Sequence, residues 1–406
     1  MKKLSILGLC LCAAFAASAQ QNVVKEAEKA MKANQPMAKV VEIVTPAFSD
    51  PTTKNHAQPY YIAGKAGFNE YDALLGKRSL GRADENTPVT MAHDLLSSYD
   101  YFMKALPLDS LPDEKGKVKP KYSKDIYSTL GGHFADFSNS AVDLWNAKEY
   151  ANAYKSWGNY LKLAKDPRFA KFINGIPADT TLADIAYNQA LAAWQADSLQ
   201  QSLAAFRNAI KLGYNKKSVY EYAVAVATNA KDNDALLEFA TAGNAKFGNE
   251  ENQFLNQIIN YYLQTEKYDE ALAYLDKGIS ENPNNAQYYS LRGIIYDNQK
   301  QSDKAHADYA KALELDPANA LGLFYMGRNI AAKAGEMQDA YDKNDFESYK
   351  KSTIDPQYRE AVGFLEKAYE VDQNNRPEVL KILEILYYNL NDNQGLESVK
   401  QRKEEL

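Results

Sequence analysis

Along most of this 406-residue chain, apolar residues return every three or four positions, with charged and polar residues between them. That is the period of amphipathic helices, each with one face to bury. The helices come in pairs marked by small residues at fixed places. In the clearest stretch the order is Tyr289-x2-Arg292-Gly293-x2-Tyr296, then Ala305-x3-Tyr309-x2-Ala312-x4-Pro317. One period earlier the same slots hold Leu255, Ile258, Ile259 and Tyr262, then Ala271, Leu275, Gly278 and Pro283. Gly278 and Ala312 lie 34 residues apart. Small residues such as Gly293 and Ala305 let the two helices of a pair touch, and Ala312 admits the next helix. Tyr289, Tyr296 and Tyr309 fill the space between. Pro317 ends the second helix, because proline cannot continue a helix and restricts the residue before it. One such pair cannot bury its apolar face alone, so stacked pairs must share a core.

These two periods resemble the tetratricopeptide repeat, a helix–turn–helix unit of about 34 residues; in the 286–317 stretch only Arg292 departs from its pattern. The resemblance implies an all-α fold, a right-handed α-solenoid of stacked helix–turn–helix units. Weaker copies extend both ways. Upstream stand Ala223 with Ala235, Phe239 and Ala242, then Ala190 with Ser202, Phe206 and Ala209, then Ala141 with Ala153, Trp157 and Tyr160. Ser98, Phe102 and Ala105 suit a second helix whose partner runs from about Pro59 to Leu75, and residues 22–50 suit a divergent pair. Downstream, Gly327 opens a pair that Ala361, Leu365 and Ala368 close. Residues 376–406 form a charged, capping pair. About eight pairs are expected. Residues 20–125 read as divergent pairs with loops, and 126–406 as the repeat array, interrupted at about 333–354. Thr181-x2-Asp184 reads as a capping box and Asp355-Pro356 as a helix start.

Two further stretches break the period, 76–88 and the lysine-rich 107–125, which carries Lys115, Lys117, Lys119, Lys121 and Lys124. Both read as solvated connectors. The lysines are the alternative place for an anionic partner.

The first residues have a different pattern. Lys2 and Lys3 precede an apolar run from Leu4 to Phe15, and Ala17-Ser18-Ala19 is a small-residue cleavage site. This reads as a secretory signal peptide over residues 1–19, leaving Gln20 as the mature N-terminus. The run is shorter than the roughly 20 apolar residues of a spanning helix. Leu9 and Leu11 precede Cys10 and Cys12, which does not suit a lipoprotein site. Both cysteines would leave with the signal, and the net charge would move from −6 to −8. The expected location is therefore the periplasm or cell envelope, or secretion beyond it.

Composition narrows the function. A pI near 5.5 argues against a general nucleic-acid surface. The mean hydropathy of −0.52 rules out a polytopic membrane protein. The four histidines, His56, His93, His133 and His306, form no metal-ligand spacing. No nucleophile elbow or P-loop occurs. No enzyme activity and no cofactor are implied.

The repeat resemblance also implies a binding surface, since the first helix of each unit lines a groove in this family. Carried over residue by residue, that face holds Ser138, Asn139, Val142, Trp145 and Asn146, then Tyr187, Asn188, Leu191, Trp194 and Gln195. Next come Tyr220, Val224 and Thr228, then Asn256, Gln257, Asn260 and Gln264. The last are Ser290, Ile294 and Asn298, then Phe324 and Arg328. Such a face is rich in amides and aromatics and poor in the charges of a carboxylate clamp. Amides can pair with the backbone of an extended peptide or with sugar hydroxyls, and tryptophan can stack on either. The expected partners are other proteins or extended peptides, with glycans as the alternative. Trp145 and Trp194 serve equally well as packing residues between repeats.

Overall fold

The computed structural model describes residues 21–112, 115–248 and 252–406. The signal segment and Gln20 lie outside the described residues. The described chain is helical, without a β-strand; one isolated bridge pairs Pro112 with Val118. Two compact units divide between Phe239 and Ala240.

The N-terminal unit begins with α1 (21–32) and α2 (Met37–Val44), which runs into a 3-10 turn at Thr45–Phe48. The pair α3 (Ala57–Ser79) and α4 (Thr87–Asp109) follows. A single helix, α5 (Ser123–Gly132), precedes α6 (Phe134–Asn146) and α7 (Tyr150–Lys165). Then come α8 (Asp179–Gln195) with α9 (Leu199–Lys211), and α10 (Ser218–Asn229) with α11 (Asn233–Phe247), which crosses the divide. The C-terminal unit pairs α12 (Gln253–Gln264) with α13 (Tyr268–Glu281), and α14 (Ala286–Asn298) with α15 (Ser302–Leu315). Its next pair is α16 (Ala320–Asp339) and α18 (Asp355–Val371), with the short α17 (Phe346–Tyr349) and a π-helical turn (Lys350–Ile354) between them. The pair α19 (Arg376–Asn389) and α20 (Asn393–Glu404) ends the chain.

The turns inside the pairs repeat closely. Asp197, Lys231, Glu266 and Lys300 all sit in the left-handed region, at φ 54°, 53°, 55° and 58°, and follow one another at 34, 35 and 34 residues. Each lets the next amide reach back to close the helix, as Gln301 N–H does to the Tyr296 carbonyl at 2.8 Å and Lys267 N–H to the Tyr262 carbonyl at 2.9 Å. None of the four is glycine, so a cost of roughly 1 kcal/mol per turn is borne by the packing.

Packing follows the small-residue pattern. A Cβ on Gly293 would run into the Tyr309 ring, and one on Gly64 would strike Phe102. The pair α3–α4 is therefore a drawn-out version of the same contact. Ala305 is fully buried on α15, and its neighbour His306 is exposed. The expected Ala242 is exposed. Gly243 takes its place, lying 2.9 Å, at a would-be Cβ, from the Phe254 ring of α12. The register slips by one because phenylalanine there needs the smallest neighbour. Arg292, the residue off pattern, is a tie: its guanidinium grips Asp308 on α15 at 2.7 and 2.8 Å and Asp276 on α13 at 2.7 Å.

Several local expectations change. The capping box at Thr181 is not made; α8 starts two residues earlier, at Asp179, without a side-chain cap. The helix start at Asp355-Pro356 is present, with α18 opening at Asp355, but Asp355 does not cap it; a π-helical turn leads in, and Asp355 receives Lys350 Nζ at 2.8 Å. The same ammonium reaches the Asn389 carbonyl at 2.8 Å, so the insertion is tied to the end of α19. The 76–88 stretch is shorter as a loop, because α3 continues to Ser79. The 107–125 connector is anchored. Buried Asp109 accepts the amides of Lys121, Tyr122 and Ser123 at 3.0, 2.9 and 2.7 Å. Burial opposes its ionisation, but these bonds and the Ser123 hydroxyl outweigh that and hold the carboxyl below its ordinary value. Across this connector, α4 packs on both α5 and α6.

Candidate functional site

The first helices of the pairs, α6, α8, α10, α12, α14 and α16, carry the residues in question. In the N-terminal unit, Asn139 and Asn146 are exposed on α6, and Asn188 is half-buried on α8. Trp145 is taken up by its own turn, 5.1 Å from Tyr150 and 6.2 Å from Trp157. Trp194 differs: it stands 5.7 Å from Tyr222, which is exposed. Tyr222 runs nearly parallel to Tyr187, and Tyr187 stacks on Tyr214 at 4.4 Å. Burial pushes the Tyr187 hydroxyl up, so it stays protonated and can donate. Together Tyr187, Trp194, Tyr214 and Tyr222 form an aromatic patch on α8, α10 and the connection between them.

Tyr220 does not join that patch; it is only 5% exposed. Ser290 and Phe324, at the equivalent place in later repeats, are buried as well. The cause is visible at Ser290, whose hydroxyl reaches the Asn319 side chain at 2.7 Å, where Asn319 caps the next helix. At Tyr220, Ser290 and Phe324 this position serves the contact between repeats, whereas at Tyr187 and Asn256 it is only half-buried. Tyr222, two residues on, supplies the exposed ring.

In the C-terminal unit, Gln257, Asn260 and Gln264 are exposed on α12. Asn256 is half-buried and accepts Gln287 Nε2 at 2.9 Å, so an amide pair links α12 to α14. Asn298 and Arg328, distant in sequence, line one cleft of about 570 Å³ between α14 and α16. The Arg328 guanidinium lies over Phe324 and Tyr325, 5.5 and 5.3 Å from the ring centres. Asp297, also lining the cleft, is held from behind by the Tyr309 hydroxyl at 2.8 Å and Asn329 Nδ2 at 2.9 Å. Tyr309 is raised far above its usual range by burial and then by Asp297, so it remains a donor. Asp297, Lys300 and Asn329 escaped the sequence reading, since only the pairing of α14 with α16 brings them to Asn298.

A second cleft, of about 560 Å³, lies in the N-terminal unit among α4, α7, α8 and α9. Its walls are Tyr99, Met103, Leu161, Leu163 and Phe169, away from the residues read as a groove. Among the described residues no three histidine, cysteine or acidic side chains gather as a metal site. No helix among them is long and apolar enough to cross a membrane.

A family model of the tetratricopeptide repeat matches residues 256–320, the two pairs from α12 to α15. Those two pairs are tetratricopeptide repeats, and the other helix pairs are similar to them in their turns and small-residue contacts. Solved structures include similar chains. The C-terminal part of a repeat protein from Cytophaga hutchinsonii is 18% identical, with a TM-score of 0.38, over 64% of this chain and 92% of that one. A repeat protein from Bacteroides fragilis is 19% identical, with a TM-score of 0.34, over 63% of this chain and 99% of that one. YrrB, described as having an unusual peptide-binding site, is 18% identical, with a TM-score of 0.29, over 48% and 88%.

Proposed function

We propose that this protein is a non-catalytic, exported scaffold that binds other proteins or extended peptides in the cell envelope through the exposed faces of its first helices. The repeat fold suggests an interaction scaffold. The observation that carries the reading is the α12 face, where Gln257, Asn260 and Gln264 stand exposed beside the Asn256–Gln287 pair. Solvated helix faces ordinarily carry lysine and glutamate; uncharged amides suit a partner's backbone. Export is supported by Lys2, Lys3, the Leu4–Phe15 run and Ala17-Ser18-Ala19.

The test is crosslinking and pull-down from envelope fractions. Asn256→Ala with Asn260→Ala should weaken capture by about 1–3 kcal/mol, because the partner's desolvated groups lose their hydrogen bonds. Lys117, Lys119 and Lys121 changed to Gln should leave capture intact. The opposite pattern would move the site to the lysine connector. N-terminal sequencing of the exported chain should read from Gln20. A glycan reading is favoured by one observation, the Tyr187–Trp194–Tyr222 patch; sugar binding on a glycan array that Trp194→Ala abolishes would establish it.

A further inference from the structure

The cleft between α14 and α16 has an uneven inventory of polar groups. Of its two carboxylates, Glu336 is exposed and Asp297 is the covered one. Asp297 is half-buried and fixed by two donors that are themselves out of solvent, Tyr309 at 0% and Asn329 at 4% exposure. Asn329 spends its amide nitrogen on Asp297 and on the Ser302 carbonyl at 3.2 Å, and its Oδ1 has no hydrogen-bond partner. Among the described residues Asp297 forms no ion pair. The cations lie outside: Lys300 and Arg328 are exposed, and among the described residues neither is matched with a carboxylate. A half-buried carboxylate held only by neutral donors is a positioned acceptor that a cation can still meet. An ammonium brings three donors and the missing charge.

We infer that this cleft binds a primary ammonium with Asp297 as its counter-ion, while a carboxylate of the same ligand meets Arg328 and Lys300 at the rim. This rests on the reading of the first-helix faces as binding surface and names its chemistry at one place. The ligand class is an amino-carboxylate: a lysine beside an acidic residue in a bound peptide, or a free amino acid. The Arg328 guanidinium lies over Tyr325 and Phe324, and these contacts favour its place at the rim.

Calorimetric titration of the full chain tests this with L-lysine, Nα,Nε-diacetyl-lysine and a blocked Gly-Lys-Asp-Gly peptide with its lysine free or Nε-acetylated. L-lysine or the unmodified peptide should bind, and acetylation of every amine of that probe should weaken binding by about tenfold or more, since the charge on the donor is lost. Binding of the free amino acid alone assigns a small-molecule site; binding of the peptide assigns a partner's side chain. Asp297→Asn keeps the shape and removes the charge, and should abolish either signal. Should Asp297→Asn melt early, Arg328→Gln on the exposed rim carries the test, with a predicted loss of about tenfold for both probes. Equal binding of the fully acetylated form of the probe, undiminished binding by Asp297→Asn or Arg328→Gln, or no heat from any probe would overturn the assignment. Partner capture by the parent protein together with no binding of lysine or the peptide to that same protein removes the cleft and leaves the scaffold reading standing.

Discussion

The pairs α3–α4 and α14–α15 make the same contact with different parts. Each has a glycine against an aromatic ring, Gly64 against Phe102 and Gly293 against Tyr309. In α14–α15 the buried charges are answered: Asp308 is gripped by Arg292, and the Tyr309 hydroxyl meets Asp297. In α3–α4 they are not. Asp94 Oδ2 and Ser98 Oγ are covered and have no hydrogen-bond partner. The two helices run 23 residues each, and stacked rings such as Phe68 on Phe102 at 5.1 Å carry the packing. Stacking is tolerant of register, whereas an arginine between two aspartates is not. A regular repeat can thus afford a specific polar tie that the divergent pair lacks.

The largest expected effect tests that tie. Arg292→Ala strands Asp308, 6% exposed, as a buried unpaired charge, and should cost about 3–5 kcal/mol in urea melts. Adding Asp308→Ala should recover much of the loss. If the double variant is no better than the single one, Arg292 acts by packing alone.

The shared contact is tested next. Ala305→Leu should overpack the α14–α15 contact and cost about 1–3 kcal/mol. His306→Ala, one residue on and exposed, should change stability by less than about 0.5 kcal/mol. Equal losses would place the helix face wrongly.

The smaller effect belongs to the unanswered acid. Burial, with Glu70 adding to it, pushes the Asp94 carboxyl up to about 7. A carboxyl raised in the folded state binds its proton more tightly there than in the unfolded chain. Its ionisation therefore costs stability progressively as pH rises from about 4 to about 7, and the cost is constant above. Partial solvent access screens it, so the cost at neutral pH is about 1–2 kcal/mol. Asp94→Asn should raise stability at pH 7 by that order, have no effect near pH 4, and flatten the profile between. A variant less stable than the parent at pH 7 would mean that Asp94 is ionised and paired in solution.

What was legible in the sequence follows from local periodicity. Small and large residues at helical spacing marked the pairs, and Pro317, Ala305 and Tyr309 marked their edges and contacts. The candidate site was legible only in part. Gln257, Asn260, Asn298 and Arg328 stand exposed as read, yet Tyr220 is buried and Tyr222 is the exposed ring. A one-helix pattern says which residues share a face; it does not say how much of that face the next repeat covers.

By itself, then, the sequence determined the helix pairs and their period, because a helix's apolar stripe and its small contact residues are written within some 34 consecutive positions. Only the tertiary structure decided which polar groups meet. Gly243 in place of Ala242, Arg292 between Asp276 and Asp308, Lys350 on the Asn389 carbonyl, and the cleft of Asp297, Asn298, Arg328 and Asn329 all join residues from different helices. Those meetings depend on crossing geometry to within an ångström or so, which no spacing along one helix encodes.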